Sequence, residues 1–155
     1  MPENVNNRKQ FDRSGRREPN NNFVSLPDKY LVDGYFSDDS KTLKREYVLS
    51  FAKELATSLS SDKRTAIKKT QLRGFYDKVK GARDNYERNY IDLSDAILSI
   101  CELAPLAQQS VTRGNAPKLF YDFIKKNVDK VVDYESLKAF EQHFRAIVCY
   151  YPETK

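Results

Sequence analysis

From residue 40 to residue 151 apolar side chains return every three or four positions, a period that commits the chain to amphipathic helices. The apolar segments are separated by stop and start signals, with no alternating pattern to suggest strands. Ser40 is placed to cap a first helix carrying Leu43, Tyr47, Val48, Phe51, Ala52, Leu55 and Leu59, ending near the serines at 58–61. Thr70 is placed to cap a second, with Leu72, Phe75, Tyr76, Val79, Ala82 and Tyr86 on one face. A third spans about Asp92 to Val111, with Leu93, Ile97, Leu98, Ile100, Cys101, Ala104 and Ala107 inward and a kink at Pro105. Gly114 suits a helix stop, Asn115 a cap and Pro117 the first turn of a fourth helix bearing Leu119, Phe120, Phe123, Ile124 and Val128. Asp133 opens a fifth helix with Leu137, Phe140, Phe144, Ile147, Val148 and Tyr151, which Pro152 ends. The expectation is an all-α fold, a compact bundle of about five helices over residues 40–155.

Upstream the character changes. Residues 1–22 are polar, rich in Asn and Arg, and read as a flexible tail. Residues 23–39 mix Phe23, Leu26, Tyr30, Leu31, Tyr35 and Phe36 with four aspartates, and suggest an extended strap laid on the bundle or on a partner. The spacing of those aspartates does not fit a calcium loop. With 155 residues, one core is expected. No apolar run nears the roughly 18 residues of a membrane span, and no signal-peptide core follows the N-terminus, so an intracellular, cytoplasmic chain without a membrane partner is expected.

Catalytic inventory is thin. The single histidine, His143, flanks an apolar stripe and is expected to be a boundary residue satisfied by water or a neighbour. Cys101 and Cys149 lie in apolar helical patterns and are expected to be buried thiols, neither a disulfide nor part of a metal site. Asp92, Asp95 and Glu102 are acids of a helix start, suited to its dipole. No Gly-rich phosphate loop is present. A chain without enzymatic activity, cofactor or metal is the expectation.

The net charge of +5 is concentrated. Residues 63–83 hold Lys63, Arg64, Lys68, Lys69, Arg73, Lys78, Lys80 and Arg83 against one acid, Asp77. On a helical wheel with Leu72 at zero, Leu72, Phe75, Val79, Ala82 and Tyr86 cover about −80° to 0°. Lys69, Arg73, Lys80 and Arg83 fall at about +20° to +100°, beside that dry face. Such a stripe complements a phosphate backbone, which it would position without reading bases. A solvated helix face is an equally economical reading of the charge pattern alone.

Three motifs carry a resemblance. Thr70-Gln71-Leu72-Arg73-Gly74-Phe75-Tyr76-Asp77-Lys78-Val79 resembles the helix-opening motif of the small subunit of type III-A CRISPR effector complexes, the Csm kind. Leu103-Ala104-Pro105-Leu106-Ala107 followed by Arg113 is similar to that family's Leu-rich third helix and its terminal arginine. The run from Phe140 to Tyr151 is similar to its closing Phe-x-x-x-hydrophobic-x-Ala-hydrophobic-Val-x-Tyr pattern. Order and spacing agree over about residues 65–151.

The resemblance implies a five-helix subunit present in several copies along a ribonucleoprotein. It would lie beside the repeated backbone subunit, contact guide RNA and target RNA, and connect to the large signalling subunit without cutting RNA. Arg73 and Arg113 match basic positions of the motifs. The wheel adds Lys69, Lys80 and Arg83, and Lys68 stands at the helix entrance, where exposed N–H groups favour phosphate. The alternative is a protein–protein scaffold subunit without direct RNA contact, to which the aromatic strap would be suited. A DNA-binding regulator lacks its helix-turn-helix signal.

Overall fold

The computed structural model describes residues 24–37 and 40–153; the tail expected over 1–22 lies outside them. Among the described residues the chain is helical: a 3-10 turn at Arg45–Tyr47 precedes α1 (Ser50–Leu59), α2 (Lys69–Glu87), α3 (Leu93–Cys101), α4 (Leu103–Thr112), α5 (Lys118–Val128) and α6 (Tyr134–Tyr150). The last helix is the hub. It packs along both α1 and α2, while α3 covers α2 and α5 covers α4. Phe123 of α5 meets Phe140 and Phe144 of α6 edge to face, and Phe120 meets Phe75 of α2 in the same way. Leu55, Leu72, Phe120, Phe123, Phe140 and Phe144 are fully buried at this junction.

Local chemistry sets several boundaries. Asp133 accepts from the backbone N–H of Ser136 at 2.9 Å, and the Ser136 hydroxyl accepts from the N–H of Asp133 at 3.1 Å, a reciprocal cap on α6. Asp92 accepts from the N–H of Asp95 at 2.8 Å to open α3. Gly114 takes the left-handed conformation, φ +77°, that stops α4.

Elsewhere the expected boundaries shift. Ser40 does not cap a helix; its hydroxyl accepts from the N–H of Thr42, and α1 begins only at Ser50. Residues 40–44 are drawn instead into pairing with the upstream segment, through a Phe36–Leu43 bridge and a 2.9 Å bond from Lys44 N–H to the Tyr35 carbonyl. Lys68, not Thr70, is the N-cap of α2. Pro117, not Asn115, is the N-cap of α5 and precedes its first turn. The expected third helix is two helices broken at Glu102. Pro105 has no N–H for the Cys101 carbonyl, so the ladder ends there rather than bending through. Cys101, Leu98 (58% exposed) and Cys149 face outward, contrary to their expected burial. Cys101 and Cys149 stand about 100° around their helices from buried Ile100 and Val148, just past the dry face, and Leu98 lies about 200° from both Ala96 and Ile100, on the opposite side.

Residues 24–37 are bound tightly to the bundle, burying Tyr30, Leu31 and Tyr35. They wind through successive turns between Pro27 and Gly34 rather than lying extended. Lys29 and Leu31 adopt φ of 65° and 57°, a left-handed backbone that non-glycine residues resist by about 1–2 kcal/mol each. The winding aims Tyr30 inward. His143 Nδ1 lies 2.6 Å from the Tyr47 carbonyl, which can only accept, so Nδ1 carries the proton and Nε2 accepts from Tyr30 Oη at 2.5 Å. Asn127 donates to Tyr30 Oη at 2.9 Å and accepts from Tyr35 Oη at 2.6 Å. His143 is thus wholly buried and satisfied by neighbours, not a boundary residue. Burial pushes its pKa down to about 4, against the opposing effect of the Tyr47 carbonyl.

Candidate nucleic-acid interface

The basic stripe forms on α2 because Leu72, Tyr76, Val79 and Ala82 turn that helix into the core and leave the cations at its flank. The helix runs antiparallel to α6: Lys69 near its start meets Tyr151 and Glu153, and Tyr86 near its end stacks against Tyr134 at 5.5 Å. One edge of the stripe therefore lies along the seam between the two helices.

The six residues singled out by sequence occupy different settings. Lys68 is exposed at the N-cap of α2. Lys69 is only 17% exposed and donates to the Tyr151 carbonyl at 3.0 Å and Glu153 Oε2 at 2.9 Å, tying down the end of α6. Arg73 is exposed and makes no ion pair among the described residues. Lys80 pairs with Asp84 one turn on at 2.9 Å and remains half open to solvent, and its hydrogen bond holds the Asp84 carboxyl below the usual range. Arg83, 18% exposed, reaches Glu87 Oε2 through Nε at 2.8 Å and Glu141 Oε1 through Nη1 at 2.6 Å. Burial works against its charge, but the hydrogen bond to Glu87 and the two carboxylates more than offset this and its pKa rises. Arg113 is exposed at the end of α4, a helix that packs chiefly on α5. The fold thus brings Lys69, Arg73, Lys80 and Arg83 along one helix flank, sets Lys68 at the entrance of that helix and leaves Arg113 apart.

Two residues of this surface were not singled out in the sequence. Glu141 of α6 is 1% exposed and is the acid onto which the seam converges. Its Oε2 accepts from Tyr76 Oη at 2.5 Å and from Arg145 Nε at 3.0 Å; its Oε1 accepts from Arg83 and from Arg145 Nη2 at 2.7 Å. Burial and donation to Glu141 push the Tyr76 phenol up to about 12. The spacing of four between Glu141 and Arg145 is the one sequence signal that points to this pair. Their convergence with Tyr76 and Arg83, 58 or more positions away, leaves no such signal.

Among the described residues, no three His, Cys, Asp or Glu side chains converge as a metal site would require, and no helix is long and apolar enough to cross a membrane. A shallow groove of about 360 Å³ flanks α6, lined by Thr42, Leu43, Val48, Arg145, Ala146 and Cys149 among others.

A family model described as Csm2 Type III-A matches residues 42–154, from the segment preceding α1 to the residues just past α6. The chain belongs to the Csm2 Type III-A family. A Csm2 protein is a small subunit of the type III-A CRISPR complex, in agreement with the resemblance carried by the three sequence motifs. The match leaves out residues 24–37, although Tyr30, Leu31 and Tyr35 sit in the core of this Csm2 bundle. No curated protein and no solved structure matches the chain.

Proposed function

We propose that this small subunit is a non-catalytic holder of RNA within the type III-A complex, gripping the guide and target RNA backbone through the flank of α2. The observation that carries the reading is the stripe itself: Arg73 and Lys80 stand solvent-facing on one flank of α2 with Lys68 exposed at its entrance, while Lys69 and Arg83 tie that flank to α6. A row of cations on a helix can track phosphates of any sequence, which suits a subunit serving many different guides. Arg113 offers a separate cation, for a second stretch of backbone. The lack of a catalytic role accords with His143, whose two ring nitrogens are both engaged inside the core. Exposed Leu98 and Leu106 on α3 and α4 are the surface assigned to neighbours in the complex: the repeated backbone subunit, the large signalling subunit and further copies of this chain. The scaffold reading without RNA, in which the basic stripe faces an acidic partner, loses its support from the strap, because Tyr30 and Tyr35 are buried in the chain's own core.

Arg73→Glu combined with Lys80→Glu is expected to weaken binding of the full-length chain to RNA duplexes of two unrelated sequences by the same factor. Binding that falls on one sequence only would show that bases are read, and unchanged binding would return the scaffold reading.

A further inference from the structure

We propose that Arg145 is a phosphate-contacting residue of the RNA surface, held in position by Glu141, so that the surface spans the seam between α2 and α6 instead of α2 alone. The inference rests on the RNA reading above. Three observations locate and prepare this guanidinium.

Position comes first. Tyr76 lies one turn from Arg73 on one side and one turn from Lys80 on the other, and its hydroxyl shares Glu141 Oε2 with Arg145 Nε. Arg145 therefore enters from α6 at the middle of the α2 stripe, between the two exposed cations. Donor accounting comes second. An arginine carries five N–H groups in a rigid fork. Arg145 directs Nε and Nη2 at Glu141, while Nη1 has no acceptor among the described residues and the side chain is 55% exposed. Charge comes third. One buried carboxylate receives two guanidiniums, and Glu87 matches the charge of Arg83 but makes no ion pair with Arg145. The two arginines and two glutamates therefore balance, and Arg145 is the one of the pair whose side chain stays mostly open to solvent, 55% against 18% for Arg83. A guanidinium already fixed on one edge loses less freedom when its other edge meets a phosphate oxygen. Glu141 is the positioning residue: it touches no solvent-borne ligand itself and acts through Arg145.

The test is a salt series on the full-length chain with two labelled RNA duplexes of unrelated sequence. For Arg145→Gln the slope of log affinity against log salt should shrink by about one, equally on both duplexes. Arg145→Lys should restore the slope with affinity still several-fold below wild type, because lysine brings the charge without the fork. Glu141→Gln should keep the slope and lower affinity at temperatures where the variant is fully folded; a purely structural role would leave affinity unchanged there. An unchanged slope for Arg145→Gln, with Arg73→Glu/Lys80→Glu still weakening binding, overturns this inference and leaves the RNA reading intact. A wild-type chain that binds neither duplex at about 50 mM salt overturns both.

Discussion

Helix α6 carries two polar constellations on opposite flanks, only two residues apart in sequence, and they are built from different materials. On the His143 side every member is neutral: Tyr35, Asn127, Tyr30, His143 and the Tyr47 carbonyl form one directional chain of hydrogen bonds, entirely buried. On the Glu141 side the members other than Tyr76 are charged, and Arg145 and Glu87 stay open to water. Neutral groups can be sealed away at small net cost once each donor finds an acceptor. Ions can be withdrawn from water only partway before desolvation exceeds the attraction between them. The neutral flank therefore closes the fold, and the charged flank remains where something else can touch it.

Deleting residues 1–36 is the harshest break of this comparison. It removes Tyr30, Leu31 and Tyr35 from the core and strands His143 Nε2 and Asn127 Oδ1, whose donors are the two tyrosine hydroxyls. Losing a single buried aromatic costs about 3–5 kcal/mol, and two of them approach the whole stability of an ordinary domain. A circular-dichroism melt should show no cooperative transition; a midpoint near that of the full chain would reduce the neutral flank to decoration.

Acid should separate the flanks next. Unfolded, His143 takes up a proton near pH 6.5; folded, it resists until about pH 4. The unfolded state then binds more protons as pH falls through 6.5, so stability is flat above that value and declines below it. Urea titrations should show a loss of about 2 kcal/mol between pH 7 and pH 5. The chain has one histidine, so the upper part of this window reports the neutral flank alone. Stability unchanged down to pH 5 would mean that His143 titrates as if exposed.

The smallest effect belongs to the charged flank. Tyr76→Phe deletes one hydroxyl donor to Glu141, whose oxygens still accept from Arg83 and Arg145. A loss of about 1 kcal/mol by urea titration is expected. A loss as large as the acid effect would place Tyr76 among the closing elements.

What the sequence disclosed follows from the range of the interactions involved. Asp133 and Gly114 act on backbone groups within a few positions, and their roles were legible; Asp92, read as an acid suited to the helix dipole, is the cap of α3. Ser40 and Thr70 have the same cap chemistry, yet the first is overridden by pairing with residues 35 and 36 and the second by a start at Lys68. The basic stripe was legible because it repeats within one helix. The burial of His143 was not, since its partner Tyr30 is 113 positions distant, and neither was the hold of Glu141 on Arg83. Cys101 and Cys149 were misplaced because an apolar neighbourhood in sequence says little about which side of the last turn faces water.

The bond between Tyr30 and His143 also bears on the order of assembly. A ribosome releases Tyr30 long before it makes α6, so the Tyr30 hydroxyl must wait for His143 while nearly the whole chain is synthesised, although Lys44, Tyr47 and Phe51 emerge early enough to meet the upstream segment. Helices α1 to α5 can form locally in that interval, but the hub on which they converge comes last. Closure is then one late event that couples the oldest and newest parts of the nascent chain, the kind of distant contact that sets a slow folding step.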